Sequence, residues 1–98
     1  MITRIRTFTA AKGKRQELIA LLKEIGAAVS RIMGLPAPPV AVTIGGDLNK
    51  VSLIMEVDGV DAHDELIAKI IAHPEIAPLN DKLFPLIETV YDTIYRHV

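Results

Sequence analysis

The chain has no cysteine and no tryptophan, and only two tyrosines and two phenylalanines among its 98 residues. Without cysteine there are no disulfides, thiolate zinc sites or cysteine nucleophiles, and the cytoplasm, a reducing compartment, is the expected location. Charge of one sign is missing as well. Eleven Lys and Arg stand against twelve Asp and Glu, with neither sign in a long block, so the basic footprint of a nucleic-acid partner is lacking. No apolar run approaches the roughly 20 residues of a bilayer-spanning helix, and the start carries no basic-then-apolar signal pattern. A soluble chain without a membrane partner is expected. Aliphatic side chains are plentiful: half of the residues are hydrophobic although so few are aromatic, so Ile, Leu, Val and Ala must build the core. The length suits a single domain, residues 1–98, that buries roughly two-thirds of its unfolded surface. So large an aliphatic excess in so short a chain points to further burial against a second subunit, and a homodimer is expected.

Ile2 to Thr9 are mainly β-branched, aromatic or Arg residues, with Ile2, Arg4, Arg6 and Phe8 on one face and Thr3, Ile5 and Thr7 on the other, which reads as a first strand. After Lys12-Gly13-Lys14, Leu18, Leu22, Ile25, Val29 and Ile32 recur at four-and-three spacing, the stripe of an amphipathic helix that Gly34 stops. Gly26 inside that helix suggests close packing on the sheet. Pro36, Pro38 and Pro39 lead stiffly into Val40–Ile44, and Gly45 to Lys50 supply turn chemistry before Val51–Val57, together a hairpin. Asp61 is placed to cap a second helix whose buried stripe is Leu66, Ile67, Ile70 and Ile71 and which ends before Pro74. A short helical turn fits between Pro78 and Leu83, and a last strand runs from about Glu88 to Arg96.

The order β-α-β-β-α-β is the split unit of an α+β, ferredoxin-like fold: a four-stranded antiparallel sheet with two helices on one face. Both strand faces carry apolar residues, and one also carries scattered charge. That suits helices on one side and, on the other, a partner sheet around a partly polar cavity, a dimeric α/β barrel.

Particular residues sharpen this reading. Arg6-Thr7-Phe8 followed by Gly13-Lys14, the hairpin Gly46-x-Leu48-Asn49-x-Val51, His73-Pro74-Glu75 after the second helix, and Pro85-Leu86-Ile87 before the last strand follow one another along nearly the whole chain. In that order the chain resembles the NIPSNAP-type branch of the dimeric α/β-barrel proteins, related in architecture to the antibiotic-biosynthesis monooxygenases. It departs from the resemblance at Met55, Val57 and Ile76, where aromatics are usual, and it shows no helix-two arginine. The resemblance implies fold and dimerisation. It also permits cofactor-independent oxygenation or isomerisation, in which a protein orients its substrate and stabilises an enolate-like charge.

The candidate ligand residues are Arg4, Arg6, Phe8, Glu56, His63 and Tyr91; none is singled out as catalytic. Arg4 and Arg6 share a strand face with Phe8, where a guanidinium holds a carboxylate or enolate by a forked pair of hydrogen bonds. Alternatively they pair with Glu56, Asp92 or a partner subunit. Tyr91, on the strand bordering the first, either orients a substrate near Arg6 or packs at an interface. His63, at the start of helix two, either lines the open end of the barrel as a base or is a solvated helix residue. Glu56 is a carboxylate in an apolar strand that needs a partner, a strand-one arginine being the natural one. His63, His73 and His97 lack the paired spacing of metal ligands, and neither metal nor cofactor is expected. Two functions follow: a homodimer that binds a small organic ligand in the barrel cavity, with oxygenation or isomerisation as its chemistry, or a non-catalytic assembly protein whose barrel is filled by side chains.

Overall fold

A computed structural model describes all 98 residues. Strand β1 (Ile2–Ala10) leads to helix α1 (Arg15–Met33), the hairpin strands β2 (Val40–Val42) and β3 (Lys50–Val57), helix α2 (Val60–Ala72), a five-residue helix α3 (Ala77–Asp81), a 3₁₀ turn at Phe84–Leu86, and β4 (Ile87–Arg96). The four strands form one antiparallel sheet in the order β2-β3-β1-β4. This is the expected α+β, ferredoxin-like arrangement. The sheet of a single chain is open and closes no barrel.

Register decides what each face carries, because directly paired residues of antiparallel strands project to the same side. Phe8 lies opposite Val51 and Val90, Arg6 opposite Leu53 and Asp92, and Arg4 opposite Met55 and Ile94. Phe8, Ala10 and Val51 pack on Leu18 and Leu22 of α1 and form the core with them, so this is the helix-covered face. Arg4 contacts His63 and Asp64 of α2 from the same face, which places α2 on that side too. The opposite face presents Thr3, Ile5, Thr7 and Thr9 in line with Glu56, Ile54, Ser52 and Lys50 and with Tyr95, Thr93, Tyr91 and Thr89. No element of the chain covers it.

Local chemistry explains the boundaries. Gly34 takes φ +67° after the last turn of α1 and donates its N–H to the Ser30 carbonyl at 3.0 Å, the left-handed stop that glycine adopts without a Cβ penalty. Strand β2 ends two residues short of the expected Ile44, because the chain turns away through Gly46 at φ +79° and an Asp47 side chain that accepts the Asn49 N–H at 2.9 Å,. Asp61 does not cap α2. Gly59 holds the cap position, and Asp61 sits in the first turn, where its charge complements the helix dipole,. Gly26 faces the proline-rich connection instead of the sheet: a Cβ there would sit 3.7 Å from the Ala37 Cβ, an ordinary contact.

The largest difference from the sequence reading is α2. Its stripe of Leu66, Ile67, Ile70 and Ile71 is not buried; no residue of the helix is. The stripe faces a cavity and not a packed core.

Candidate functional site

That cavity is a cleft of about 1090 Å³ between the helix-covered face of the sheet and the helices, just above the roughly 300–1,000 Å³ usual for small-molecule sites. Leu22 and Ile25 of α1, Leu53 and Met55 of β3, and Leu66 and Ile70 of α2 supply aliphatic walls. Met55, Val57 and Ile76, the three positions lacking the expected aromatics, all line it. The cleft therefore lies inside one chain, on the helix side, and not at the open face where a barrel would close.

Its polar part is a cluster built across three elements. Asp92 of β4, directly opposite Arg6, accepts four hydrogen bonds: from Arg4 Nε at 3.0 Å and Nη2 at 2.5 Å, and from Arg6 Nε at 2.9 Å and Nη2 at 3.1 Å. Arg4 reaches further with Nη1, which donates to Asp64 Oδ1 at 2.7 Å and to His63 Nδ1 at 3.1 Å. One buried guanidinium thus ties the last strand to the first turns of α2, and charge-assisted bonds of this kind are the strong ones. Arg6, His63 and Asp92 line the cleft. Arg4 stands behind them, only 5% exposed.

The electrostatics follow from this geometry. The Arg6 hydrogen bond, then that of Arg4, hold the Asp92 carboxyl at about 2 against a desolvation that acts the other way,. Burial alone lowers the Arg4 pKa, but Asp92 and Asp64 outweigh it and the net shift is upward. Burial first, then the charges of Arg4 and Arg6, push His63 below its ordinary value. His63 is therefore neutral at neutral pH. Because a guanidinium only donates, the hydrogen-bond network assigns Nδ1 as the acceptor and puts the ring proton on Nε2.

The donor and acceptor inventory is then one-sided. Asp92 is occupied on both oxygens and His63 Nδ1 is taken by Arg4, whereas Arg6 Nη1 and His63 Nε2 have no partner in the chain. Next to Arg6 and His63 the cleft thus offers two free donors beside engaged acceptors, while Asp58 and Asn80 add polar groups elsewhere in its lining. The two donors can stabilise an oxygen anion.

Among the residues singled out from the sequence, Arg4, Arg6, Phe8 and His63 share the helix side. Phe8 lies in the core at the cleft wall, 4% exposed. Glu56 and Tyr91 also border the cleft, although they pair with Thr3 and Thr7 and so belong to the strand set of the opposite face,. Glu56 finds no arginine there; it accepts the Thr3 hydroxyl at 2.9 Å and stands 3.6 Å from His97 Nε2. The Tyr91 ring lies under the Lys50 ammonium, 5.0 Å from its centroid, a cation–π contact. His73 Nδ1 accepts the Glu75 N–H at 3.1 Å and so fixes the turn after α2. No three His, Asp or Glu side chains stand together in a way that could hold a metal ion. Asp64 had no distinguishing signal in the sequence, being one more acid on a solvated helix.

Comparison with known proteins agrees with this architecture. A NIPSNAP family protein from Agrobacterium tumefaciens superposes with a TM-score of 0.82 at 25% identity, over 99% of this chain and 92% of its own. The chain is NIPSNAP-like in fold. The NIPSNAP-like sheet and helices recur more distantly in a dimeric protein of unknown function and ferredoxin-like fold from Bacteroides fragilis, with a TM-score of 0.71 at 17% identity over 98% of this chain and 95% of that one. A candidate antibiotic biosynthesis monooxygenase from Deinococcus radiodurans gives 0.69 at 19% identity, over 100% and 93% of the two chains. No family model matches the chain, and neither does any curated protein. No helix is long and apolar enough to cross a membrane.

Proposed function

We propose that this protein is a homodimeric small-molecule-binding protein whose ligand occupies the cleft between sheet and helices. The observation that carries the reading is an aliphatic cleft that ends in unpartnered donors on Arg6 and His63. A ligand with an apolar body and one oxygen-bearing head satisfies both parts, its oxygen accepting from the two donors. The reaction class such a site supports runs through an oxygen anion of the substrate. Arg6 and the His63 N–H would stabilise that charge as it develops, the electrostatic contribution that cofactor-independent oxygenation or isomerisation requires. The fold shared with the Deinococcus protein supports this class. His63 is not the base: its Nδ1 lone pair is committed to Arg4.

Dimerisation is supported from the other side of the sheet. Only ten of 98 residues are buried in the single chain, too small a core for a chain half hydrophobic,. The uncovered face carries Ile5, Ile54, Tyr91 and Tyr95, the last two about half exposed. A second copy laid on that face would close a barrel, and the dimeric Bacteroides protein of the same fold supports that arrangement.

Native mass spectrometry of the purified protein tests both statements. A dimer that retains one small organic molecule per subunit is the expected result. A monomer would overturn the assembly. A protein that takes up no apolar probe when challenged would leave the assembly role, without ligand or catalysis, as the correct reading.

A further inference from the structure

Resting on the cleft as the ligand site, the donor inventory narrows the ligand further: we propose that it is a medium-chain aliphatic carboxylate, its headgroup held by Arg6 Nη1 and His63 Nε2. Arg6 Nη1 and His63 Nε2 are free donors, and the acceptors beside them, the Asp92 carboxylate and His63 Nδ1, are engaged. An ammonium head brings only donors, and a hydroxyl offers a single oxygen to the two donor sites. A carboxylate brings two acceptor oxygens to two donor sites.

The body of the ligand follows from the walls. Leu22, Ile25, Leu53, Met55, Leu66 and Ile70 are flexible or branched aliphatic side chains, which suit an alkyl chain. Aromatic side chains are a minority there, Phe8, Phe84 and Tyr91 in a lining that is mainly aliphatic. Arg6 and His63 select the head and the α2 stripe covers the chain, which gives that stripe an occupant where it has no core to pack on.

The test is calorimetric titration at neutral pH with decanoate, decanol and decylamine, each below its micelle concentration, with displacement of the neutral dye Nile red read in parallel. Decanoate is expected to bind and displace the dye, decanol to bind at least tenfold more weakly, and decylamine not at all. Arg6→Gln should weaken decanoate at least tenfold and leave decanol unchanged, and Arg6→Lys should fall between, since the charge remains but the forked geometry does not. Equal affinity for decanoate and decanol overturns the proposal without depending on any variant. Dye binding that decanoate does not displace overturns the carboxylate while the cleft reading stands. Failure of the dye and all three amphiphiles to bind overturns both.

Discussion

Replacing Asp92 by Asn removes the charge on which both strand-one arginines converge while keeping the side chain's shape. The amide can accept through one oxygen only, and its NH₂ group faces the guanidinium donors. Breaking one partner out of a buried ion pair typically costs about 3–5 kcal/mol. Asp64 still holds Arg4 Nη1, and the Asp92 side chain is 21% exposed, so the lower end, about 3 kcal/mol, is expected. An independent route gives a similar figure. The Asp92 carboxyl titrates at about 2 in the folded chain against an ordinary 3.8, and at 1.36 kcal/mol per unit this makes about 2.5 kcal/mol. The sign is fixed: a depressed carboxyl pKa contributes stability that is present above 3.8 and lost as pH falls through 2,. In a chain of this size, whose total stability is about 5–15 kcal/mol, a loss of 3 lowers Tm by roughly 12–24 °C. Urea denaturation of wild type and Asp92→Asn, at one protein concentration so that mass action is constant, should show the full gap at pH 7, about half of it at pH 3, and little below pH 2. A gap under about 1 kcal/mol at pH 7, or one that does not narrow on acidification, would refute the assignment of Asp92 as the hub of the cluster.

Other perturbations read other parts of the structure. Phe8→Ala should cost about 3–5 kcal/mol because its ring sits in the packed core,, whereas Leu66→Ala should cost about 1 kcal/mol or less because that side chain lines the cleft,; equal losses in denaturant titrations would contradict the cleft. The imidazole of His63 should titrate below 6.5 by NMR. The native state then resists a proton that the unfolded chain accepts, so this contribution to stability is present above 6.5 and lost as pH falls through the lower folded value. Removing the Arg6 charge should move the titration back toward 6.5. A titration above 6.5 in wild type would disprove the Arg4–His63 contact. Gly26→Ala should raise stability by up to about 1 kcal/mol, since a helix interior gains and the added methyl meets only the Ala37 and Pro38 side chains at van der Waals distance,; a lowered Tm would show that the connection packs more tightly than that.

The strands, the hairpin and the Gly34 stop were legible in the sequence because alternation and turn chemistry are local signals. The interior of the site was not, for two physical reasons. A helix stripe that lines a cleft has the same period as one that packs a core, so Leu66, Ile67, Ile70 and Ile71 read as buried when they are not. The choice of face also depends on register, and in β3 and β4 a shift of one residue exchanges Glu56 for Met55 and Tyr91 for Asp92. Asp92 could be named as one of several partners for the arginines, but only the pairing of Arg6 with Asp92 across β1 and β4 makes it the shared one. The tautomer of His63, which turns a candidate base into a donor, rests on one contact with Arg4 that no spacing announces.

The cleft itself is most directly tested by methyl NMR of the Ile, Leu and Val side chains during a decanoate titration. Shifts concentrated at Leu53, Leu66 and Ile70, with Ile5 on the uncovered face unmoved, are the predicted result. Shifts confined to Ile5 and its neighbours on that face would place the ligand between subunits and contradict the site described above.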